Sequence, residues 1–399
     1  MANRINLKIF RRFFSSSSAG GILLIFCVIV SLLIANSTWS DDLSDLLNLQ
    51  FGFETDGIHL RYPVLLWIND GLMAIFFLLV GLEIKREIIE GELSSFRQAA
   101  LPVLAAVGGV AVPAMIYLLF NANHPETAHG WGIPMATDIA FALGILSLVG
   151  KNVPTGLKIF LAALAIVDDL MAILVIAIFY SGDLQFQYLM YAAIVLLLLI
   201  VLNRLGVTNI WFYIIPGIFM WYFIHHSGIH ATIAGVLTAL TLPTNETSNE
   251  SPLERLEHLL TKPVNFVIMP IFAIANTNIT FESGMVEGLA SNLGLGILLG
   301  LFLGKPIGIF AMSWLSVKIG VAELPANTNW LHILGLGLLG GIGFTMSIFI
   351  ALLSFENVEY QTEAKFAVLI ASVMSGIAGF LLLKMYNKHS VNKNKAVRS

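Results

Sequence analysis

Five ionisable side chains stand inside long apolar stretches of this sequence: Asp70, Asp138, Asp168, Asp169 and Lys305. A charge at the centre of a bilayer costs about 2.5–3.5 kcal/mol on insertion scales, so such residues are functional candidates before any others. The strongest signal is the adjacent pair Asp168-Asp169, in the middle of LAALAIVDDLMAILVI. Successive helical residues point about 100° apart. The two carboxylates therefore face different directions but can border one cavity. Carboxylates this close disfavour joint ionisation. The pair can hold protons and exchange them for a hard cation, which prefers oxygen ligands. Lys305, in LGLFLGKPIGIF, is the mid-span cation. Its natural partner is a buried acid, and a desolvated lysine can release a proton. The plainer alternative is a static ion pair that only joins two helices. Asp138 follows Pro134 and Thr137 and precedes a clean apolar run, the arrangement of a helix N-cap. A long loop bringing Asp138 to the surface is its alternative. Asp70 lies one turn inside its span, where a solvated helix-end carboxylate is the simpler reading.

The elements that must position these residues follow from the same stretches. A helix that starts at Asp138, at membrane depth, is a broken helix. Its N-terminus carries partial positive charge, which Asp138 can neutralise. A matching stretch is LGLGLLGGIGFTMSIF. Glycine weakens a helix by about 1 kcal/mol relative to alanine. Close packing explains Gly335 and Gly337, whereas Gly340-Gly341-Ile342-Gly343 reads as unwound. With about 20 residues per crossing, about twelve spans fit: 18–36, 64–83, 99–120, 131–149, 157–181, 187–203, 209–224, 229–243, 263–279, 292–316, 331–353 and 365–384. The interrupted ones are the fourth and the eleventh. Their odd offset runs them in opposite directions, which points to inverted-topology repeats, about 99–181 and 292–384, with a site where the broken helices cross.

The 399 residues are 57% hydrophobic and 12% charged, with mean hydropathy +0.85. Soluble chains carry roughly 25% charged residues. The fold class is thus an all-α polytopic membrane protein of about twelve transmembrane helices. A net charge of −4 without a basic face excludes a nucleic-acid partner. Cys27 is the single cysteine, so no intramolecular disulfide and no cysteine metal site can form. Placing the N-terminus inside puts nearly all of the 21 Lys and Arg on the cytoplasmic side, with Arg61 and Lys365 outside and Lys305 within a span. Residues 1–17 then form a basic amphipathic segment at the cytoplasmic surface. They precede a single domain, 18–384, and a basic cytoplasmic tail, 385–399. The outer loop 41–62 alternates around Asp56-Gly57, as a hairpin does, and its edge could pair with another subunit. Glu83 and Glu87 share a helix face, and Glu257 and His258 lie on the same membrane side. A solvated face is their ordinary explanation, an acidic funnel for cations the sharper one. His230 could titrate near neutral pH or simply pack.

The stretches WINDGLMAIFFLLVGLEIKRE (67–87), ATDIAFALG (136–144), LKIFLAALAIVDDL (157–170), SGIHATIAG (227–235), LGKPIG (303–308) and GIGFTMSIFIA (341–351) together resemble the NhaA-type sodium/proton antiporters. Inverted repeats are known in that family. The resemblance covers nearly the whole chain. It implies that Asp168 and Asp169 are the ion-binding and proton-exchanging pair for Na⁺ or Li⁺. It implies that Lys305 pairs with the first of them, and that Thr137, Asp138, Gly341 and Gly343 lie at the crossing of broken helices. Glu83, Glu257, His258 and His230 match positions tied to pH response, and Glu87 shares the face of Glu83. The outer hairpin matches a homodimer contact in the bacterial inner membrane. No cofactor is implied. In place of a second family histidine shortly after His258 the sequence has Thr261, which bears on the pH profile.

The expected activity is pH-regulated, electrogenic exchange of Na⁺ or Li⁺ for H⁺ by alternating access, by a transporter rather than an enzyme. A sodium-coupled organic-anion symporter of the same crossed-helix fold and a cation channel are the alternatives. An intramembrane aspartyl protease would need its two acids on different spans in a G-x-G-D context, and neither condition is met.

Overall fold

A computed structural model describes residues 19–55, 58–150, 153–244, 250–281 and 284–396. The expected N-terminal segment 1–17, the Asp56-Gly57 turn and the last tail residues lie outside the described residues. Helix α1 (Ala19–Ala35) turns by 108° into α2 (Ser40–Asn48). Four short strands follow: β1 (Gln50–Phe51), β2 (Glu54–Thr55), β3 (Ile58–His59) and β4 (Tyr62–Pro63). β1 pairs antiparallel with β4 and β2 with β3. The loop thus holds a hairpin over 50–63, but its first part is helical rather than extended. Asp41 and Asp42 sit in the first turn of α2, where acids complement the helix dipole.

α3 (Val64–Ile89) leaves the hairpin through a π-helical turn at Trp67–Leu72. α4 (Phe96–Asn121) follows. A short helix with a 3₁₀ end, α5 (Pro125–Met135), then meets α6 (Ile139–Val149) at a bend of 44°. After these come α7 (Thr155–Phe179), α8 (Phe186–Arg204), α9 (Trp211–His225), α10 (Ile233–Thr241), α11 (Pro252–Asn276) and α12 (Asn292–Lys318). α13 (Trp330–Gly340) and α14 (Phe344–Ser354) are bent by 46° at their break, and α15 (Val358–Ala396) ends the described chain. Among the described residues, seven helices are long and apolar enough to cross a membrane, or ten if each bent pair counts as one. The sequence count of about twelve also included α9 and α10. They have 15 and 9 residues, shorter than the roughly 20 that a straight crossing takes.

Burial sorts the helices. In α7, 67% of the most apolar stretch is buried, against 11% in α8. α7 is the central helix and α8 a peripheral one, with Phe186 and Leu197 exposed along it. α12 lies directly on α4 because both carry glycine at the contact. A Cβ on Gly108 would sit 2.2 Å from the Gly308 carbonyl oxygen, and one on Gly308 2.0 Å from that of Gly108. This backbone-to-backbone approach holds Lys305, one turn before Gly308, against the centre. Reciprocal capping boxes start two helices: Ser251 with Glu254 on α11, and Asn329 with His332 on α13.

Candidate functional site

The two breaks touch. The Asp138 N–H donates to the Ile342 carbonyl at 2.7 Å, and the Thr137 hydroxyl lies 2.8 Å from the Gly340 carbonyl. Four half-helix ends therefore meet at one point, and each leaves unpaired backbone groups. The N-termini of α6 and α14 share one carboxylate. Asp138 Oδ1 accepts from Phe141 N–H at 2.9 Å, while Oδ2 accepts from the hydroxyl and, at 3.3 Å, the N–H of Thr345. An anion suits these positive ends. The C-terminal ends receive donors instead. The Lys305 ammonium donates to the Met135 carbonyl at the end of α5, and Thr137 reaches Gly340 at the end of α13. Glycine is required at the second break, where a Cβ on Gly341 would lie 2.4 Å from the Leu301 carbonyl oxygen. Gly343 faces Ser347 as closely, and the Ser347 hydroxyl ties α14 to the Ile133 carbonyl at 2.6 Å.

Asp168 and Asp169 reach this crossing from the middle of α7, 1% and 3% exposed, and Lys305 is wholly buried. Lys305 forms an ion pair with Asp168 Oδ2, and the Thr137 hydroxyl approaches the same oxygen at 2.6 Å. That hydroxyl has a single proton, which serves either Asp168 or the Gly340 carbonyl. Oδ1 of Asp168 and Oδ1 of Asp169 are buried without a hydrogen-bond partner. Leaving buried acceptors unmet is costly, and carboxylate oxygens are ligands for protons or hard cations. Among the described residues, no group of three or more His, Cys, Asp or Glu could hold a metal. A small cation here would draw its remaining oxygens from backbone or water.

The structure thus brings Thr137, Asp138, Asp168, Asp169, Lys305, Gly341 and Gly343 together. Asp70 is elsewhere, with His225 at 3.2 Å on the hairpin side. At the opposite side, Arg86 Nε donates to Glu257 at 2.9 Å and Arg86 Nη1 meets Glu87 at 3.0 Å. Glu83 lies one turn up the same helix, half-buried. His258 turns outward to Glu250 at 2.7 Å, and both are exposed. His230 packs its ring edge on Phe349 at 5.9 Å. The residues grouped by sequence under pH response are therefore spatially three sets. A cavity of about 460 Å³ opens beside Glu87, Glu90 and Glu92, its α7 wall formed by Ile159, Ala162 and Ala163. Thr345 and the Met135 carbonyl escaped the sequence reading. The signal for Thr345 was a hydroxyl in the first turn after a glycine cluster; a backbone carbonyl leaves none.

The Na⁺/H⁺ antiporter 1 family matches the chain over residues 11–383. A protein of Flavobacterium johnsoniae named Na⁺/H⁺ antiporter NhaA 2 is 72% identical over 389 residues, covering 98% of this chain and 95% of that protein. Na⁺/H⁺ antiporter NhaA 1 of Clostridium beijerinckii is 50% identical over 401 residues, covering 98% and 100%. The chain belongs to the NhaA family of Na⁺/H⁺ antiporters.

Proposed function

We propose that this protein exchanges cytosolic Na⁺ or Li⁺ for external H⁺ at Asp168 and Asp169 by alternating access. One observation carries the reading. Two adjacent buried carboxylates, one engaged by Lys305 and the other with an unpartnered oxygen, meet at the contact of two broken helices. In the proposed cycle, protonated Asp168 and Asp169 release protons to the cytosol. One dehydrated cation then binds the carboxylates with backbone or water oxygen. The transporter reorients and external protons displace the ion. Lys305 engages Asp168 while that carboxylate is ionised and holds no cation, and releases it when a proton or the ion arrives. Two carboxyl protons against one monovalent cation make the exchange electrogenic. Because both ligands compete for the same oxygens, cytosolic acid alone slows transport.

Lys and Arg asymmetry supports cytoplasmic termini in a bacterial inner membrane. The acid-lined cavity and the Glu83, Glu87, Glu257 and Arg86 set support a cytosolic entry that attracts cations and responds to pH, with His258 and His230 acting separately from it. The two breaks, in segments of opposite expected direction, support inverted repeats over about 99–181 and 292–384 within a twelve-span domain. A homodimer through the hairpin is supported by exposed Phe51 and Phe53. An apolar groove running from Phe51 and Trp67 to Trp211 and Leu259 continues that face. The test is collapse of a proton gradient in inverted vesicles with Na⁺, Li⁺ and K⁺ across pH. Asp169→Asn is expected to abolish the Na⁺ response. Full exchange by that variant overturns the site, and unitary currents without proton counter-flow make the protein a channel.

A further inference from the structure

Two adjacent histidines at the end of α9 meet the root of the hairpin, far from the crossing. His226 Nδ1 lies 2.9 Å from the Tyr222 carbonyl, and its Nε2 lies 3.3 Å from the Tyr62 hydroxyl. The Tyr62 hydroxyl in turn lies 2.9 Å from the His59 carbonyl. Proton counting constrains this chain of three contacts. Both carbonyls can only accept. His226 Nδ1 must therefore carry hydrogen to meet Tyr222, and the single Tyr62 hydrogen must point at His59. The Tyr62 oxygen then accepts, so His226 Nε2 must carry hydrogen as well. All three bonds are met at once only by the imidazolium. The neutral ring sacrifices one. With its hydrogen on Nδ1, the Tyr62 hydroxyl must choose between Nε2 and His59. With its hydrogen on Nε2, a lone pair faces the Tyr222 carbonyl.

We infer that His226 is a proton-operated tie between α9 and the hairpin, closed when the ring is charged and loosened when it is neutral. Histidine changes charge between about pH 5 and 8. The phenol of Tyr62, raised above its ordinary value chiefly by burial and further by Tyr222 and Asp70, keeps its proton throughout. The groups around the tie are Tyr62, His59 and Glu54 from the hairpin, Asp70 from α3, Tyr222 and His225 from α9, and Tyr188 from α8. The tie tightens as pH falls and loosens as pH rises. This makes the hairpin sensitive to the pH of its own side, which is external in the orientation proposed above. Only that word rests on the proposed function, and failure here leaves the transport reading untouched.

Hydrogen exchange of the full-length protein in nanodiscs tests this, read at the hairpin amides Leu60 and Val64, which donate to Phe53 and Leu49. After correction for intrinsic exchange, protection is expected to be about three- to tenfold higher at acid than at alkaline pH, the worth of one hydrogen bond. Tyr62→Phe and His226→Gln each should remove the step, so either suffices if the other misfolds. His59→Gln, which keeps the carbonyl but loses the exposed contact with Glu54, and His225→Gln should retain it. A step that survives Tyr62→Phe or His226→Gln, or that vanishes in His59→Gln or His225→Gln, overturns the assignment.

Discussion

Two ion pairs in this protein join distant parts of the chain in contrasting surroundings. Lys305–Asp168 has both side chains at 0% exposure. Arg86–Glu257 leaves Arg86 33% exposed and Glu257 10%. In the first, no water compensates either charge, so each is tolerable only while the other is present. In the second, Glu257 is itself buried but solvent reaches the guanidinium and screens the pair from the arginine side, which brings it towards the about 0–1 kcal/mol that exposed pairs are worth. The dry pair thus answers strongly to any change in local charge, including the arrival of a proton or cation. The wet pair rearranges at little cost. The transport centre proposed at Asp168 needs the first property, and the proposed cytosolic entrance needs the second.

Substitutions can break this contrast at several levels. Lys305→Met strands a buried carboxylate and should cost about 3–5 kcal/mol, measured by thermal unfolding in detergent. Asp168→Asn together with Lys305→Met should restore most of that loss. A double variant no better than the single would show that the pair is not what holds this region. Gly308→Val forces a Cβ into the Gly108 carbonyl and should cost about 1–3 kcal/mol or more, with transport lost as Lys305 is displaced. Asp138→Ala uncaps both α6 and α14, at about 1 kcal/mol for each cap. Thr345→Val, which keeps both backbone N–H bonds to Asp138 and loses only the hydroxyl bond, should cost about half as much, and equal losses would refute the shared-cap geometry. Smallest of all, Arg86→Gln should change stability by less than about 1 kcal/mol. Its effect should fade as salt rises, whereas that of Lys305→Met should not. A salt-resistant loss at Arg86 would erase the distinction.

Much of the candidate site is legible in the sequence because a charge is conspicuous in an apolar stretch. Asp168, Asp169, Asp138 and Lys305 were all found that way, and the breaks announced themselves through Pro134 and the cluster at Gly340–Gly343. Hydropathy cannot separate α7 from α8, which are both long and strongly apolar. Lipid and protein interior are equally apolar, so a lipid-facing helix and a central one look alike in sequence. The expected count of about twelve exceeds the ten long or paired helices for a related reason: an apolar run fixes composition but not where the helix begins. The histidines and acids gathered by sequence under pH response separated in space, since side-chain direction depends on packing. His258 faces Glu250 outside, whereas Glu257, its neighbour, faces Arg86.

By itself the sequence determined that the chain is a polytopic helical membrane protein, that Asp138, Asp168, Asp169 and Lys305 are charges buried in it, and where two of its helical spans are interrupted. Those properties depend on solvation cost and local backbone preference, which act residue by residue. Only the tertiary structure decided that Asp138 caps two helices at once, that Lys305 reaches both Asp168 and the end of α5, and that His226 meets the hairpin through Tyr62. Apart from the local Asp138–Phe141 bond, these contacts join residues more than a hundred positions apart. Those at the crossing exist because backbones approach closely at glycines such as Gly108 and Gly308 and bring the half-helix ends to one point, and no local propensity encodes that approach.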